Sequence, residues 1–302
     1  MKIAQDPTPF HHDYGLLEFP GVVADLGYQW LQLTPHVDFV PFFRHPRAND
    51  ALVRNLRKAC ADAGVGIASL LPVQRWSGPD EWAREAAVRN WKRIIELAVE
   101  LDVRVIGTEF SGRPERAEES EAAFYRTMEE ILPIVEREGI DLLIDPHPDD
   151  FVEDGLEAVR ILKGLNSPNV GMVFVACHSY HMGHPMREVM RSAGDLIRLV
   201  HVADTMDHHA SHGLRYISNP PGNSARVHQH LQIGDGDIDW DDFFGGLAEI
   251  GFYDRPGSIM CNSVFAEDER AADMARYQLK TMQDYVAKHA HPHDTTTEGA
   301  SR

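Results

Sequence analysis

The amino-acid sequence predicts a single (β/α)8 TIM barrel from its length, its strand–helix alternation and the apolar character of its strands. The chain has 302 residues, a normal size for eight β/α units. Short β-rich runs alternate with longer amphipathic segments along the chain. The runs are too apolar to face water on either side, which is typical of a buried parallel sheet. Because there are eight such runs, we expect them to close into a barrel.

The expected elements follow one another regularly. We expect strands at Lys2–Gln5, Trp30–Leu33, Gly66–Leu71, Arg104–Thr108, Asp141–Asp145, Gly171–Val175, Leu199–Ala203 and Ser258–Cys261. Apolar residues recur at helical spacing within Asn49–Ala63, Asp80–Leu101 and Glu118–Glu138. Gly64, Gly139 and Gly251 each follow a helical run, where a glycine can take the left-handed conformation that ends a helix. An open doubly wound sheet is the alternative, but no Gly-x-Gly-x-x-Gly turn follows the first strand.

Two segments interrupt this alternation. Thr205–Asp237 follows the seventh strand and is rich in His, Gly, Pro and Asn, and a loop of this length is more often a functional lid than a failed helix. The segment His289–Arg302 is polar and predicts a disordered tail. We therefore expect one catalytic barrel domain over residues 1–288 and a tail over residues 289–302.

Charge and cysteine content exclude several classes of partner. The formal net charge is −18, and so acidic a surface repels nucleic-acid phosphates and anionic lipid headgroups. The cysteines Cys60, Cys177 and Cys261 form no Cys-x-x-Cys pair and fit a reducing compartment. No signal peptide is visible, and no apolar run reaches the ~18 residues of a membrane span. We expect a soluble, cytoplasmic protein that binds neither nucleic acid nor membrane.

Polar residues gather where the central strands are expected to end. Strand four is followed by Glu109, strand five ends in Asp145 with His147 two residues later, strand six runs on to His178, and strand seven contains His201. In a parallel barrel the carboxyl ends of the strands carry the active site. We therefore expect these side chains to surround one cavity.

Structural roles stay open for several of these residues. Asp145 could instead cap a helix, His201 could be a hydrogen-bonded core histidine, and Glu109 could pair with Arg113. Asp204 is expected to support the site by capping a turn or by orienting His201.

Further imidazoles lie beside the expected site. His228 and His230 lie on one side of an extended segment and either contact the substrate over the cavity or belong to a histidine-rich surface loop. His181 and His184 follow strand six and either line the cavity or only a loop.

Four segments resemble the xylose isomerase-like barrel family of sugar phosphate isomerases and epimerases. They cover nearly the whole chain in order and are Ile144–Pro148, Gly171–His178, Leu199–Asp204 and Ile233–Trp240. The resemblance implies a (β/α)8 barrel, a small sugar substrate, and a divalent cation held by Glu, Asp, His and Glu from strands five to eight.

The ligand positions implied by the resemblance are only partly kept. The first is Asp145, a shorter acid, and the third is His201, but the second falls on Val175, which cannot ligate, and the fourth falls near the neutral Asn262. Either no metal is bound tightly or a rearranged set holds it, drawn from Asp145, His147, His178, His201 and His230. Such a set favours Mn2+, our first expectation, or Zn2+, Fe2+ or Co2+ over Mg2+.

A second resemblance is to the larger subunit of bacterial C-glycoside deglycosidases, which cleave oxidised C-glycosides by β-elimination together with a smaller subunit. The long loop and the segment Val264–Glu269 carry it. This resemblance implies a complex with a smaller subunit, and the large apolar helical faces favour a homo-oligomer as the alternative.

Both resemblances imply removal of a proton from the carbon next to a carbonyl. His147 is the expected acid or base, with Asp145 as the second catalytic residue. The residues expected to contact substrate are His178, His228, His230 and Glu109. A metal-free sugar-binding or partner subunit is the non-catalytic alternative, and the charge argues against an endonuclease of the related barrel type.

Overall fold

Eight parallel strands close into one barrel in chain order, with β8 paired to β1. The structure is a computed structural model that describes residues 1–181, 183–206, 229–263 and 268–290. The strands are β1 (Lys2–Gln5), β2 (Trp30–Leu33), β3 (Gly66–Leu70), β4 (Val105–Glu109), β5 (Asp141–Asp145), β6 (Val170–Val175), β7 (Ile197–Val202) and β8 (Ser258–Cys261). Their ends lie within two residues of the expected ones, and the predicted (β/α)8 barrel is confirmed.

Helices follow the strands and surround the barrel. Among the described residues the α-helices are α1 (Phe19–Asp25), α2 (Asp50–Ala63), α3 (Glu81–Glu100), α4 (Ala117–Glu138), α5 (Gly155–Gly164), α6 (Ala176–His181), α7 (Met186–Ala193), α8 (Trp240–Glu249) and α9 (Ala271–Ala290). Short 3-10 helices lie at Thr8–Phe10, Pro114–Arg116, Gly194–Leu196, Phe252–Asp254 and Asp268–Arg270.

Local sequence determines where several of these helices begin and end. Asn49 caps α2 by accepting a hydrogen bond from the Leu52 amide at 2.9 Å, as short polar side chains do at helix starts. The three glycines expected to end helical runs all have positive φ, 67° at Gly64, 62° at Gly139 and 66° at Gly251. Strand–helix boundaries are therefore encoded locally.

The barrel interior is apolar below the carboxyl ends of the strands. Leu143, Val173 and Leu199 belong to a cluster of buried residues from neighbouring strands. Residues two apart on a strand point to the same side, so Asp145 on β5 and His201 on β7 follow this apolar layer on the inner side. The polar site therefore lies directly on a packed apolar layer, which forms the floor of the cavity.

The chain termini and the long loop are described in part. Helix α9 runs to Ala290 and includes His289, and residues 291–302 lie outside the described ranges. Of the segment expected to form a lid, residues 205–206 and 229–237 are described. In the described part of the chain, every helix is too short or too polar to cross a bilayer.

Candidate active site

A cavity of about 110 Å³ opens at the carboxyl ends of the central strands. It is lined by Leu71, Thr108, Glu109, Asp145, His147, Val173, His178, His201, His230 and Asn262. The structure thus brings together six of the expected site residues, and they come from the ends of β4, β5 and β7, from the start of α6 and from the loop after β7.

Asp145 and His178 form a buried pair in this cavity. The Nδ1 atom of His178 lies 2.9 Å from Asp145 Oδ2, because α6 begins directly after β6 and places its first turn beside the end of β5. Burial raises the pKa of Asp145 well above its ordinary value. Its other oxygen, Oδ1, is buried and has no hydrogen-bond partner among the described residues.

His230 enters the same cavity from the loop. Its Nδ1 donates to the Asn262 carbonyl at 3.0 Å, its Nε2 lies 3.3 Å from His178 Nε2, and the Cys177 Sγ is 3.6 Å from the same Nε2. Burial lowers the pKa of His230 to about 4, so its imidazole is neutral at physiological pH.

Asp204 holds the loop that carries His230. Its backbone pairs in both directions with Leu231 at 2.8 Å, and its carboxylate accepts hydrogen bonds from the amides of Thr205, Gly234 and Ile238 and from Trp240 Nε1, at 2.8 to 3.2 Å. Gly234–Trp240, a Gly-x-Gly-x-x-x-Trp segment, therefore wraps this one buried carboxylate. Asp204 supports the site through the loop.

The side chain of His201 is hydrogen-bonded to that of Gln32. The Gln32 Nε2 donates to Ser69 Oγ at 2.9 Å and lies 3.2 Å from His201 Nε2. Burial, together with the neighbouring His230, lowers the pKa of His201 to about 3, so this imidazole is neutral and can accept from the amide. Sequence reasoning missed Gln32, although a glutamine inside an apolar strand was a visible signal.

His147 lies at the open side of the cavity, with about a quarter of its side chain exposed. Its Nδ1 donates to the Pro148 carbonyl at 2.6 Å, and its Nε2 is 3.9 Å from Glu109 Oε1. Burial alone would lower the pKa of His147, but the charges of Glu109 and Asp145 outweigh this effect and raise the pKa above 6.5. The imidazole can therefore exchange a proton near neutral pH.

Two groups of potential metal ligands lie in this region of the described structure. One consists of Cys177, His178 and His230, and the other of Glu109, His147 and Asp150, each with its ligand atoms within 4.8 Å of one another. Asp150 accepts a hydrogen bond from the Ser111 amide at 2.6 Å, and burial raises its pKa well above the ordinary value. Cys177 and Asp150 were not expected from the sequence as site residues.

Other polar residues near the strand ends do not line this cavity. His184 pairs with Asp154 at 2.8 Å, and Arg113 pairs with Glu115 at 3.6 Å, so the alternative Glu109–Arg113 pair is not formed. His181 is buried outside the lining. His228, expected to contact substrate, lies outside the described residues.

The structure also shows where the second and fourth ligand positions implied by the resemblance lie. Val175 is buried in the inner apolar cluster, so it contributes no ligand atom. Asn262 lines the cavity and donates from Nδ2 to Asp6 Oδ2 at 2.8 Å. The carboxylate-rich ligand set implied by the resemblance is therefore incomplete in this barrel.

The fold and the site together define a parallel-barrel protein whose ionisable side chains converge on a cavity at the carboxyl rim. The chain belongs to the xylose isomerase-like TIM barrel family, whose model matches residues 21–285. The family resemblance inferred from the sequence is confirmed.

Individual relatives match shorter stretches. The chain is 27% identical over 139 residues to an inosose isomerase of Bacillus licheniformis, covering 45% of this chain and 46% of that protein. It is 25% identical over 179 residues to an inosose isomerase of Bacillus velezensis, covering 58% of this chain and 60% of that protein. The chain thus spans about half the length of the curated relatives it matches.

Solved structures match over the whole fold. A crystal structure of the IOLI protein with a bound zinc atom has a TM-score of 0.74 at 19% identity and covers 96% of this chain and 99% of its own. A D-tagatose 3-epimerase-like protein has a TM-score of 0.73 at 18% identity, with coverages of 95% and 97%. At such identities the likeness establishes the fold alone.

Proposed function

We propose that this chain is a sugar isomerase or epimerase-type enzyme that removes a proton from the carbon next to the carbonyl of a keto-sugar. The observation that carries the proposal is the His147–Glu109 pair, which faces a cavity that is also lined by three buried imidazoles and the buried carboxylate of Asp145. The similarity to inosose isomerases supports the reaction class.

His147 is the proposed base. Because Nδ1 keeps its hydrogen and donates it to the Pro148 carbonyl, the neutral ring presents the lone pair of Nε2 toward the cavity. A proton accepted at Nε2 makes an imidazolium, which Glu109 stabilises from 3.9 Å. Return of this proton to the neighbouring carbon completes an isomerisation, whereas an epimerisation requires a second acid that delivers a proton to the opposite face.

A divalent cation, which the family resemblance implies, fits the donors of this cavity. Asp145 Oδ1 is buried without a hydrogen-bond partner among the described residues, and the Nε2 atoms of His178 and His230 approach to 3.3 Å. The candidates to hold it that the sequence suggested are Asp145, His178, His201 and His230. When bound, the cation would polarise the substrate carbonyl and stabilise the enolate.

The remaining polar groups would bind the sugar. Glu109 accepts hydrogen bonds from hydroxyl groups, and His178 and His230 would reach a substrate oxygen through the cation that their Nε2 atoms hold. The walls Leu71 and Val173 are apolar and exclude water from the carbon that loses its proton.

Solvent-deuterium exchange tests the proposal directly. The protein is incubated in D2O with ketohexoses and inososes in the presence of Mn2+, Zn2+ or Co2+. The masses of the recovered sugars are then measured by mass spectrometry. We expect incorporation of one deuterium next to the carbonyl of at least one sugar. His147→Ala should slow this exchange about 100-fold or more, whereas His12→Ala, at an exposed residue outside this cavity, should exchange like the wild type.

The same assay separates the alternatives. Sugar binding without exchange would refute the proposal and favour a non-catalytic subunit. Release of the aglycone from a 3-keto C-glycoside, without exchange into keto-sugars, would favour the β-elimination reaction instead. A His147→Ala variant that keeps the wild-type exchange rate would remove His147 from its proposed role.

A further inference from the structure

The imidazoles of His178 and His230 face each other through their Nε2 atoms at 3.3 Å. His230 Nδ1 is bonded to the Asn262 carbonyl, which only accepts, so the proton of neutral His230 is on Nδ1 and its lone pair is on Nε2. On His178 it is likewise Nδ1 that is engaged, because this atom lies 2.9 Å from Asp145 Oδ2. The Nε2 atoms of the two rings therefore face each other across one space.

The thiol of Cys177 is the third donor around that space. Its Sγ lies 3.6 Å from His230 Nε2, and all three ligand atoms lie within 4.8 Å of one another. Cys177 and His178 are consecutive residues in the first turn of α6. Their donors therefore approach His230 from one rigid element.

Two of the three distances between these atoms match tetrahedral zinc. With Zn–N of about 2.05 Å and Zn–S of about 2.3 Å, a tetrahedral angle puts two nitrogen ligands about 3.3 Å apart and a nitrogen and a sulfur ligand about 3.6 Å apart. The distances in the structure are 3.3 Å between the two Nε2 atoms and 3.6 Å between Sγ and Nε2.

The groups that lie at the Nδ1 atoms of the two imidazoles also fit a metal site. Metal-ligating histidines usually donate their second ring N–H to a carboxylate or to a backbone carbonyl, which sets the tautomer and the ring orientation. Here Asp145 stands behind His178 at 2.9 Å and the Asn262 carbonyl stands behind His230 at 3.0 Å.

We propose that Cys177 Sγ, His178 Nε2 and His230 Nε2 bind one zinc ion and leave its fourth position open to the cavity. Three protein ligands with one open position are typical of catalytic zinc sites. The inference rests on the proposed function for the choice of cavity and narrows its ligand set: Asp145 orients His178, and His201, which is bonded to Gln32, is not a ligand.

Cobalt substitution tests this ligand set without measuring turnover. The full-length protein is stripped with a chelator and reloaded with Co2+, and its absorption spectrum is recorded. We expect the visible bands of tetrahedral cobalt together with a thiolate-to-cobalt charge-transfer band in the near ultraviolet. Cys177→Ser should lose the charge-transfer band, and the matched control Cys60→Ser, on α2, should keep it.

Zinc affinity provides a second measurement. Loss of a residue that only supports a metal ligand already costs about 10- to 100-fold in affinity. Loss of a ligand should cost at least as much, so we expect His230→Ala to weaken Zn2+ binding at least tenfold. His289, His291 and His293 near the C-terminus can also take up cobalt, but they add no sulfur and hence no charge-transfer band. An unchanged band in Cys177→Ser, or wild-type protein that binds cobalt without the band, overturns the proposal.

The outcome is separable from that of the proposed function. A thiolate band without deuterium exchange would leave the metal site standing and refute the enzymatic role. Metal-dependent exchange without the band would support the enzymatic role and refute Cys177 as a metal ligand. If Cys177→Ser does not fold, X-ray absorption of the zinc-loaded wild type decides, because a zinc–sulfur shell near ~2.3 Å supports the site and a shell of only nitrogen and oxygen refutes it.

Discussion

Replacing Asp204 by alanine should destabilise the protein strongly, because one carboxylate accepts four hydrogen bonds from the loop and from the segment that leads it into α8. Asp204 is completely buried, and each buried donor left without a partner costs about 1–3 kcal/mol. The lower value applied to four donors gives about 4 kcal/mol. Partial hydration of the Gly234 amide, which is only partly buried, reduces the expected loss in unfolding free energy to about 3–4 kcal/mol.

Urea unfolding followed by tryptophan fluorescence measures this loss. Asp204→Asn keeps one acceptor oxygen and should lose less than Asp204→Ala. Asp235→Asn removes the same charge from an exposed position on the same loop and should change the stability by less than about 0.5 kcal/mol. If Asp204→Ala costs less than about 1 kcal/mol, the carboxylate does not hold the loop and our assignment of its role is wrong.

Two further predictions concern packing and pH. At Gly236 a Cβ atom would overlap Asp204 Oδ1, so Gly236→Ala should destabilise by about 1–3 kcal/mol; Gly21→Ala, in open space on α1, should be neutral or stabilising by up to about 1 kcal/mol, and equal melting temperatures for the two variants would contradict the clash. Burial and neighbouring imidazoles lower the pKa of His11 from 6.5 to about 4, so the folded protein binds this proton more weakly than the unfolded chain and should lose stability as the pH falls from 6.5 toward 4. His11→Phe, which keeps an aromatic ring against Phe19, should lose less over this range in urea titrations, and parallel pH profiles would refute the reasoning.

The barrel was predictable because its strands are defined by local sequence. Every residue of β6 (Val170–Val175) is buried, as expected for a strand that packs against the interior on one side and against helices on the other. The glycines that end α2 and α4 have the positive φ that their positions suggested. Closure into eight strands then followed from the number of repeats.

The site was predictable only where it depends on strand ends. Asp145 and His201 follow directly from the rule that barrel chemistry lies at the carboxyl rim. The sequence does not assign Cys177 to the site, because its distance to His230 depends on a contact across 53 residues of sequence. No local pattern encodes such a contact.

The role of Asp204 likewise depends on residues that are distant in the sequence. The sequence suggested that it caps a turn or orients His201, since both lie on the seventh strand run. Its carboxylate instead collects donors as far along the chain as Trp240. The Gly-x-Gly-x-x-x-Trp pattern was visible, but the residue around which it closes was not.

His230 is borne by a loop, whereas the other polar side chains of the cavity follow from strand ends or from the helix that continues β6. Insertions and replacements in loops leave the packed cylinder unchanged. A related barrel with a different segment after β7 would therefore present a different atom at this spot while preserving the floor of the cavity. Swapping this segment between barrels offers a way to change their chemistry without redesigning their cores.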